Sequence, residues 1–228
     1  MHIGILQCGH TSGEVAAHHG DFDAMFEGIL DGHGLTFSSY DIENMAFPPS
    51  VTTCDGWLLT GSKHGAYEDH PFIPPLEAFI RDAYAAGVPQ VGICFGHQIM
   101  AQAMGGTVVK YDGGWGIGRA VYRMGDRDIA LNALHQDQVV TRPEAARVLA
   151  SSDFCENAGL VYGDRMLSLQ PHPEFSPQII ETYIKMRRGM AGCDPERMDA
   201  AAAAVGQPID QVPAAAMIAA FFKDAHNG

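Results

Sequence analysis

Basic residues are scarce in this chain: 14 Lys and Arg stand against 27 Asp and Glu, a net charge of −13 over 228 residues. Nucleic acid is therefore a poor partner, because affinity for it comes chiefly from Lys and Arg neutralising phosphates. The one local basic cluster, Lys185 with Arg187 and Arg188, is too small to reverse that field. Long hydrophobic runs are absent too; none approaches the ~20 consecutive apolar residues of a membrane-spanning helix, so no membrane association is expected. The opening Met1-His2-Ile3-Gly4-Ile5-Leu6 has no basic segment ahead of its short apolar run, and no secretory leader is expected. Cysteine is sparse and unpaired in pattern. Cys8, Cys54, Cys94, Cys155 and Cys193 are odd in number, widely spaced and free of any CxxC, which argues against a disulfide framework and against a structural zinc site. A cytoplasmic location with reduced thiols is the expectation. No P-loop or other nucleotide motif is present, and no cofactor is expected.

What remains is the composition of a folded domain, 46 % hydrophobic and 18 % charged. A chain of this length buries roughly 70–75 % of its unfolded surface and needs no covalent staple. His2–Leu6 reads as a buried strand feeding a loop rich in Gly, Cys, His, Thr and Ser. Helix-spaced apolar residues follow over Phe22–Asp31, then strands over Leu35–Ile42 and Gly56–Leu59, a helix over Pro74–Ala86, a strand over Gln90–Ile93 and a helix over His97–Met104. From Thr107 to Asp137 the chain turns to short strand-like runs, such as Ile117–Met124, around a Gly-rich segment. Met166–Leu169 is one more apolar strand. Helices are expected over Gln178–Arg188, Pro195–Val205 and Pro213–Asp224. Alternating strands and helices predict an α/β fold with one mainly parallel or mixed central sheet covered on both faces. Residues 1–190 form the expected domain. Residues 191–228 form a helical extension expected either to cover the sheet or to offer a homodimer surface.

Two short segments carry chemistry. In Gly92-Ile93-Cys94-Phe95-Gly96-His97-Gln98 an apolar strand runs through Gly-x-Cys-x-Gly into a helix, the setting of a nucleophile elbow with a thiol in place of a hydroxyl. The flanking glycines let backbone close tightly around the turn, and the helix N-terminus favours an anion there. The Phe95 N–H would point at a developing oxyanion. A buried, inert thiol is the ordinary fate of a lone Cys, but the bracketing glycines and the strand–helix context favour a nucleophile. Such a thiol needs a base, and the base an orienting group. Pro171-His172-Pro173-Glu174 supplies both immediately after a strand, with two prolines restricting the backbone around His172. No HExxH-like spacing accompanies it, and His10, His18, His19, His33, His64, His70 and His226 show no ligand spacing either, so no metal site is expected.

Together these two segments closely resemble the class I (triad) glutamine amidotransferases, and most of all the stand-alone proteins similar to the glutaminase domain of GMP synthetase. The resemblance runs from residue 1 to about 190 and implies the flavodoxin-like fold of that family. It implies a catalytic triad of Cys94, His172 and Glu174, with Cys94 forming a γ-glutamyl thioester from the side-chain amide of glutamine. It places Leu58-Leu59-Thr60-Gly61-Ser62 at the second oxyanion loop, leaving open whether Gly61 or Ser62 joins Phe95 as donor. It marks Gln98 and the loop His135-Gln136-Asp137 as contacts to the amino acid part of the substrate, and Tyr67-Glu68-Asp69 as lining the pocket mouth. The implied partner is a separate acceptor or synthetase subunit that takes the ammonia, since 228 residues leave no room for one. A self-sufficient hydrolase or transferase acting on another γ-glutamyl peptide or amine is the alternative, and a non-catalytic regulatory protein a third. Specificity is expected to lie in Gln7–His19 and Asp112–Gly118.

Overall fold

A computed structural model describes residues 1–227; Gly228, the last residue of the expected helical extension, lies outside the described residues. Its centre is a seven-stranded sheet in the order β2-β1-β3-β4-β11-β10-β9. The first five of these strands run parallel: β2 (Thr36–Asp41), β1 (His2–Gln7), β3 (Gly56–Leu59), β4 (Gln90–Ile93) and β11 (Met166–Leu169). At one edge β10 (Gly159–Tyr162) pairs antiparallel with both β11 and β9 (Ala146–Ala150). Two further antiparallel pairs stand outside it: β5 (Thr107–Lys110) with β8 (Asp137–Thr141), and the long ribbon of β6 (Gly116–Met124) with β7 (Arg127–His135). The α/β class with a mixed, mainly parallel sheet is as expected; the second strand of the ribbon, β8 and the β9–β10 edge are additions.

The central strands are short and apolar because both faces are covered. All four residues of β3, β4 and β11 are buried. On one face Leu6, Trp57 and Leu59 pack with Phe79 and Ile80 of α3 (Ile73–Ala85) and with Ile99 and Met100 of α4 (Phe95–Ala103). On the other, Ile3, Ile5, Leu58 and Val91 meet Phe26 of α2 (Phe22–Ile29) and Tyr122 and Leu131 of the ribbon. Ala214, Ala215, Ile218 and Phe222 of α7 (Gln211–Asn227) complete that layer. The Ala-rich side of α7 thus lies in the core beside the sheet. A third cluster joins α5 (Pro177–Arg187) to Phe22, Ile117 and Met198, the last from α6 (Pro195–Ala204). The loop after β1 also contains a short helix, α1 (Gly13–His19), where the sequence suggested only loop.

The parallel run matters because the carboxyl ends of β1, β3, β4 and β11 emerge along one edge, the usual ligand side of such sheets. The neighbours β3, β4 and β11 set the next residues of each chain segment side by side. The Cys94 N–H donates to Leu169 O at 2.8 Å, and the Gly96 N–H to Thr60 O at 3.1 Å.

Candidate active site

Cys94 sits at the β4–α4 junction with φ 54° and ψ −103°, left-handed backbone in a non-glycine residue. Such a conformation costs on the order of 1–3 kcal/mol and persists only where the surroundings enforce it. The surroundings here are tight. A Cβ on Gly92 would strike Met100 Sδ and come within 2.6 Å of the Gly96 carbonyl carbon; one on Gly96 would strike Leu59 O and lie 2.9 Å from the Leu59 carbonyl carbon. Glycine at both places lets β3, β4 and α4 approach closely enough to hold the turn. Helix α4 begins at Phe95, two residues earlier than its periodicity suggested, so Cys94 is itself the N-cap. The Phe95 amide, in the first turn, has no intrahelical acceptor.

The second half of the site leaves β11 through Gln170-Pro171. His172 is pinned by an isolated bridge to β7, its N–H donating to Asn132 O at 2.8 Å, while Asn132 Nδ2 donates to Phe175 O at 2.8 Å. Glu174 Oε1 lies 2.6 Å from His172 Nδ1, both side chains being buried. The Phe175 ring stacks flat on the imidazole, centroids 3.9 Å apart and planes within 2°. Contact with the carboxylate leaves Nδ1 protonated and Nε2 free to exchange a proton with a reacting group. Burial alone would push the imidazole down, but the Glu174 carboxylate and the adjacent Cys94 outweigh it and hold His172 above the ordinary histidine range.

Cys94, His172, Ser62, Gln98, His135, Gln136 and Asp137 all line one cavity of about 250 Å³. Gly61 stands behind its wall, with a would-be Cβ 3.2 Å from His172 Cε1, and Ser62 reaches the lumen. Gln98 Nε2 donates to Asp137 O at 2.9 Å and to Gln170 Oε1 at 3.2 Å, tying α4 to the start of β8 and to the segment after β11. The Tyr67 hydroxyl donates to Asp137 Oδ1 at 3.2 Å. Partial burial, with Glu68 nearby, holds the Asp137 carboxyl above the usual carboxylate range despite that bond. His135, buried and facing His172, is pushed down to about 4 and is neutral at pH 7. His97 of the elbow motif points away from the cavity, with Nδ1 2.8 Å from Ser168 Oγ, and burial with His135 nearby lowers it to about 3. It braces α4 against β11.

The loops Gln7–His19 and Asp112–Gly118 do reach the cavity, through His10, Thr11, Ser12 and Trp115, and so do Tyr67 and Glu68. Sequence reasoning missed Phe175, Tyr183, Lys110 and Arg187. Arg187, at the end of α5, lines the same cavity with its guanidinium carbon 3.9 Å over the Trp115 ring. Half-buried, it has no carboxylate partner among the described residues, and desolvation lowers it from its ordinary value. Nothing local in Lys185–Arg188 distinguished this cation from its exposed neighbours. His10 is occupied structurally, 2.7 Å from Asp21 Oδ2 and 3.1 Å from Asp41 Oδ1.

Fold and site define an α/β protein with a cysteine at a strand-to-helix elbow, opposite a buried His–Glu pair. The family model for glutamine amidotransferase class-I matches residues 43–187. The chain belongs to the class-I glutamine amidotransferase family. A gamma-glutamyl peptidase 5 of Arabidopsis thaliana is 31 % identical, over 71 % of each chain. A glutamine amidotransferase-like protein of Schizosaccharomyces pombe is 29 % identical over 82 % of this chain and 85 % of its own. One subunit of the glutamine-hydrolysing GMP synthase of Halobacterium salinarum is 30 % identical over 70 % of this chain and 87 % of its own. The solved glutamine amidotransferase from Methylobacillus flagellatus shares the fold, with a TM-score of 0.78, 22 % identity and coverage of 99 % of this chain and 93 % of that one. No helix among the described residues is long and apolar enough to cross a membrane.

Proposed function

We propose that the protein hydrolyses the γ-glutamyl amide of glutamine through a thioester on Cys94. One observation carries this reading: the strained cysteine at the elbow shares a cavity with a buried imidazole already oriented by a carboxylate. The Cys94 thiol passes its proton to His172 Nε2 as Sγ adds to the γ-carbonyl carbon, and the oxygen's developing charge is met by backbone N–H groups of Phe95 and of the Gly61–Ser62 turn. Ser62 is the better candidate of the two because it, and not Gly61, lines the cavity. As the C–N bond breaks, His172 Nε2 gives its proton to the leaving nitrogen, and ammonia departs. Water then adds to the thioester carbon, passing a proton to His172, and the C–S bond breaks to free glutamate. Asp137, with Gln98 and the His135–Gln136 backbone around it, receives the α-ammonium and α-carboxylate end. Ammonia would pass to a separate acceptor protein, and similarity to one subunit of a GMP synthase favours that role.

A second reading is favoured by Arg187. This cation, without a carboxylate partner among the described residues, lines the cavity together with Lys110. It suits a leaving group that ends in a carboxylate, as in a γ-glutamyl peptide, consistent with similarity to a γ-glutamyl peptidase. Glutamate release by the protein alone, from glutamine and from γ-glutamyl peptides and amines, decides between them. Slow release accelerated by an acceptor protein supports the first reading, and fast release from one peptide far above glutamine the second. No Cys94-dependent release from any of these, with or without an acceptor protein, would overturn both.

A further inference from the structure

The loop between β3 and α3 carries a cluster that the proposed reaction does not use. His64, Glu68 and His70 each offer one ligand atom, and these atoms all lie within 4.8 Å of one another. His70 Nε2 is 2.8 Å from Glu68 Oε2, and His64 Nδ1 is 3.8 Å from the same oxygen. The two imidazole rings are 4.0 Å apart between centroids. For comparison, ligand atoms ~2.0–2.1 Å from a tetrahedral zinc ion stand ~3.3 Å from one another, so shifts of a few tenths of an ångström up to ~1.5 Å would close the set.

The tautomer of His64 makes this more than proximity. Its Nε2 lies 2.9 Å from Glu43 Oε1. The same carboxylate oxygen is 2.7 Å from Lys63 Nζ. A ring that donates through Nε2 to Glu43 can offer its Nδ1 lone pair on the side of Glu68 Oε2, 3.8 Å away. A metal ion between them would take both atoms as ligands. A carboxylate on the far nitrogen is also the arrangement that orients histidine ligands in metal sites.

We propose that His64, Glu68 and His70 bind a divalent first-row transition metal of the zinc class, with Glu43 orienting His64 and a fourth coordination position open. Two imidazoles and one carboxylate are the donor set that suits such an ion. His64 and Glu68 also line the cavity that holds Cys94, and the His64 N–H donates to Ser62 Oγ at 3.2 Å. The ion would thus sit at the mouth of that cavity, against the oxyanion turn. The proposal does not depend on the reaction proposed above.

Equilibrium dialysis and titration with Zn2+, and with Co2+ read by its d–d absorption, test this on the full chain carrying Cys94→Ser, which removes the catalytic thiol as a rival ligand. One ion per chain is expected, with Co2+ showing the intense bands of four-coordinate geometry. Glu68→Gln and His70→Ala should each weaken Zn2+ affinity at least about tenfold, and Glu43→Gln by about 10- to 100-fold. Glu68 is exposed, and Glu68→Gln keeps its shape, so an unchanged metal-free unfolding midpoint separates ligand loss from misfolding. Failure of the Cys94→Ser protein to bind at micromolar ion overturns the proposal. So does binding left unchanged by both ligand substitutions.

Discussion

Glu174 Oε1 stands 2.6 Å from His172 Nδ1 in a buried setting, with the Phe175 ring stacked on the imidazole they share. The carboxylate orients a ring that packing already holds. His172→Ala should therefore abolish turnover, whereas Glu174→Gln, which keeps a hydrogen-bond acceptor, should retain more. Steady-state rates of glutamate release check the order, and the reverse order would reject these roles.

The same pair predicts a pH dependence of stability. Because His172 is raised in the folded state, its contribution is complete below the unfolded value of about 6.5 and fades as pH climbs through the higher folded value. Urea unfolding of the parent and of Glu174→Gln should show the widest gap in free energy near pH 6, narrowing toward alkaline pH. A gap that widened with pH would contradict the assignment.

Cys94 holds a backbone conformation that glycine adopts freely. Cys94→Ser should lower turnover by at least about a thousandfold, because a hydroxyl is a far weaker nucleophile at neutral pH; activity within about tenfold of the parent would remove Cys94 from the mechanism. Cys94→Gly should be equally inactive yet unfold within about 1 kcal/mol of the parent, since relief of strain offsets the lost side chain. Chemical denaturation measures the second effect.

Gly96 illustrates the opposite constraint. A methyl group there would strike the Leu59 carbonyl oxygen, which is backbone and cannot swing aside. Gly96→Ala is expected to cost about 2–4 kcal/mol or to prevent folding. A variant with an unchanged unfolding midpoint would show that β3 and α4 are not so closely set.

Asp137 makes a separate prediction on substrate binding. Its carboxyl is raised by partial burial, so the ionised form that would hold an ammonium is lost at a higher pH than for an exposed Asp. The acid limb of kcat/KM should reflect this and be absent in Asp137→Asn, whose KM should rise about 10- to 100-fold with a smaller change in kcat. A change confined to kcat would place Asp137 outside the binding role.

Arg187 separates the two substrate readings. If it meets a terminal carboxylate, Arg187→Gln should cost about tenfold or more in kcat/KM on a γ-glutamyl peptide, with little effect on the C-terminally amidated peptide or on glutamine. Equal losses on all three would assign Arg187 to packing with Trp115 alone.

What the chain disclosed by itself was local. The Gly92–Gln98 elbow and the Pro171–Glu174 segment are contiguous, and each concentrates its constraint in a few residues: glycines that allow close approach, and prolines that restrict a turn. The apolar strands and helix-spaced faces were legible for the same reason, since burial on both sides of a parallel sheet writes continuous hydrophobic runs. Even the class of the fold followed from their alternation.

Other features were decided only by chain pairs far apart in sequence. That β4 lies between β3 and β11, bringing Thr60 O to the Gly96 N–H and Leu169 O to the Cys94 N–H, is a matter of sheet order, which no local pattern encodes. The pairing of β5 with β8, about thirty residues apart, depends on packing between distant segments in the same way. Gln98 meets Asp137, Arg187 enters the cavity while Arg188 pairs outside with Asp199, and Glu43 reaches His64 across two segments. A single charged or polar side chain carries no mark of its partner, because its role depends on which groups desolvate it and which lie opposite. Those are set when the sheet and its helices close around the cavity.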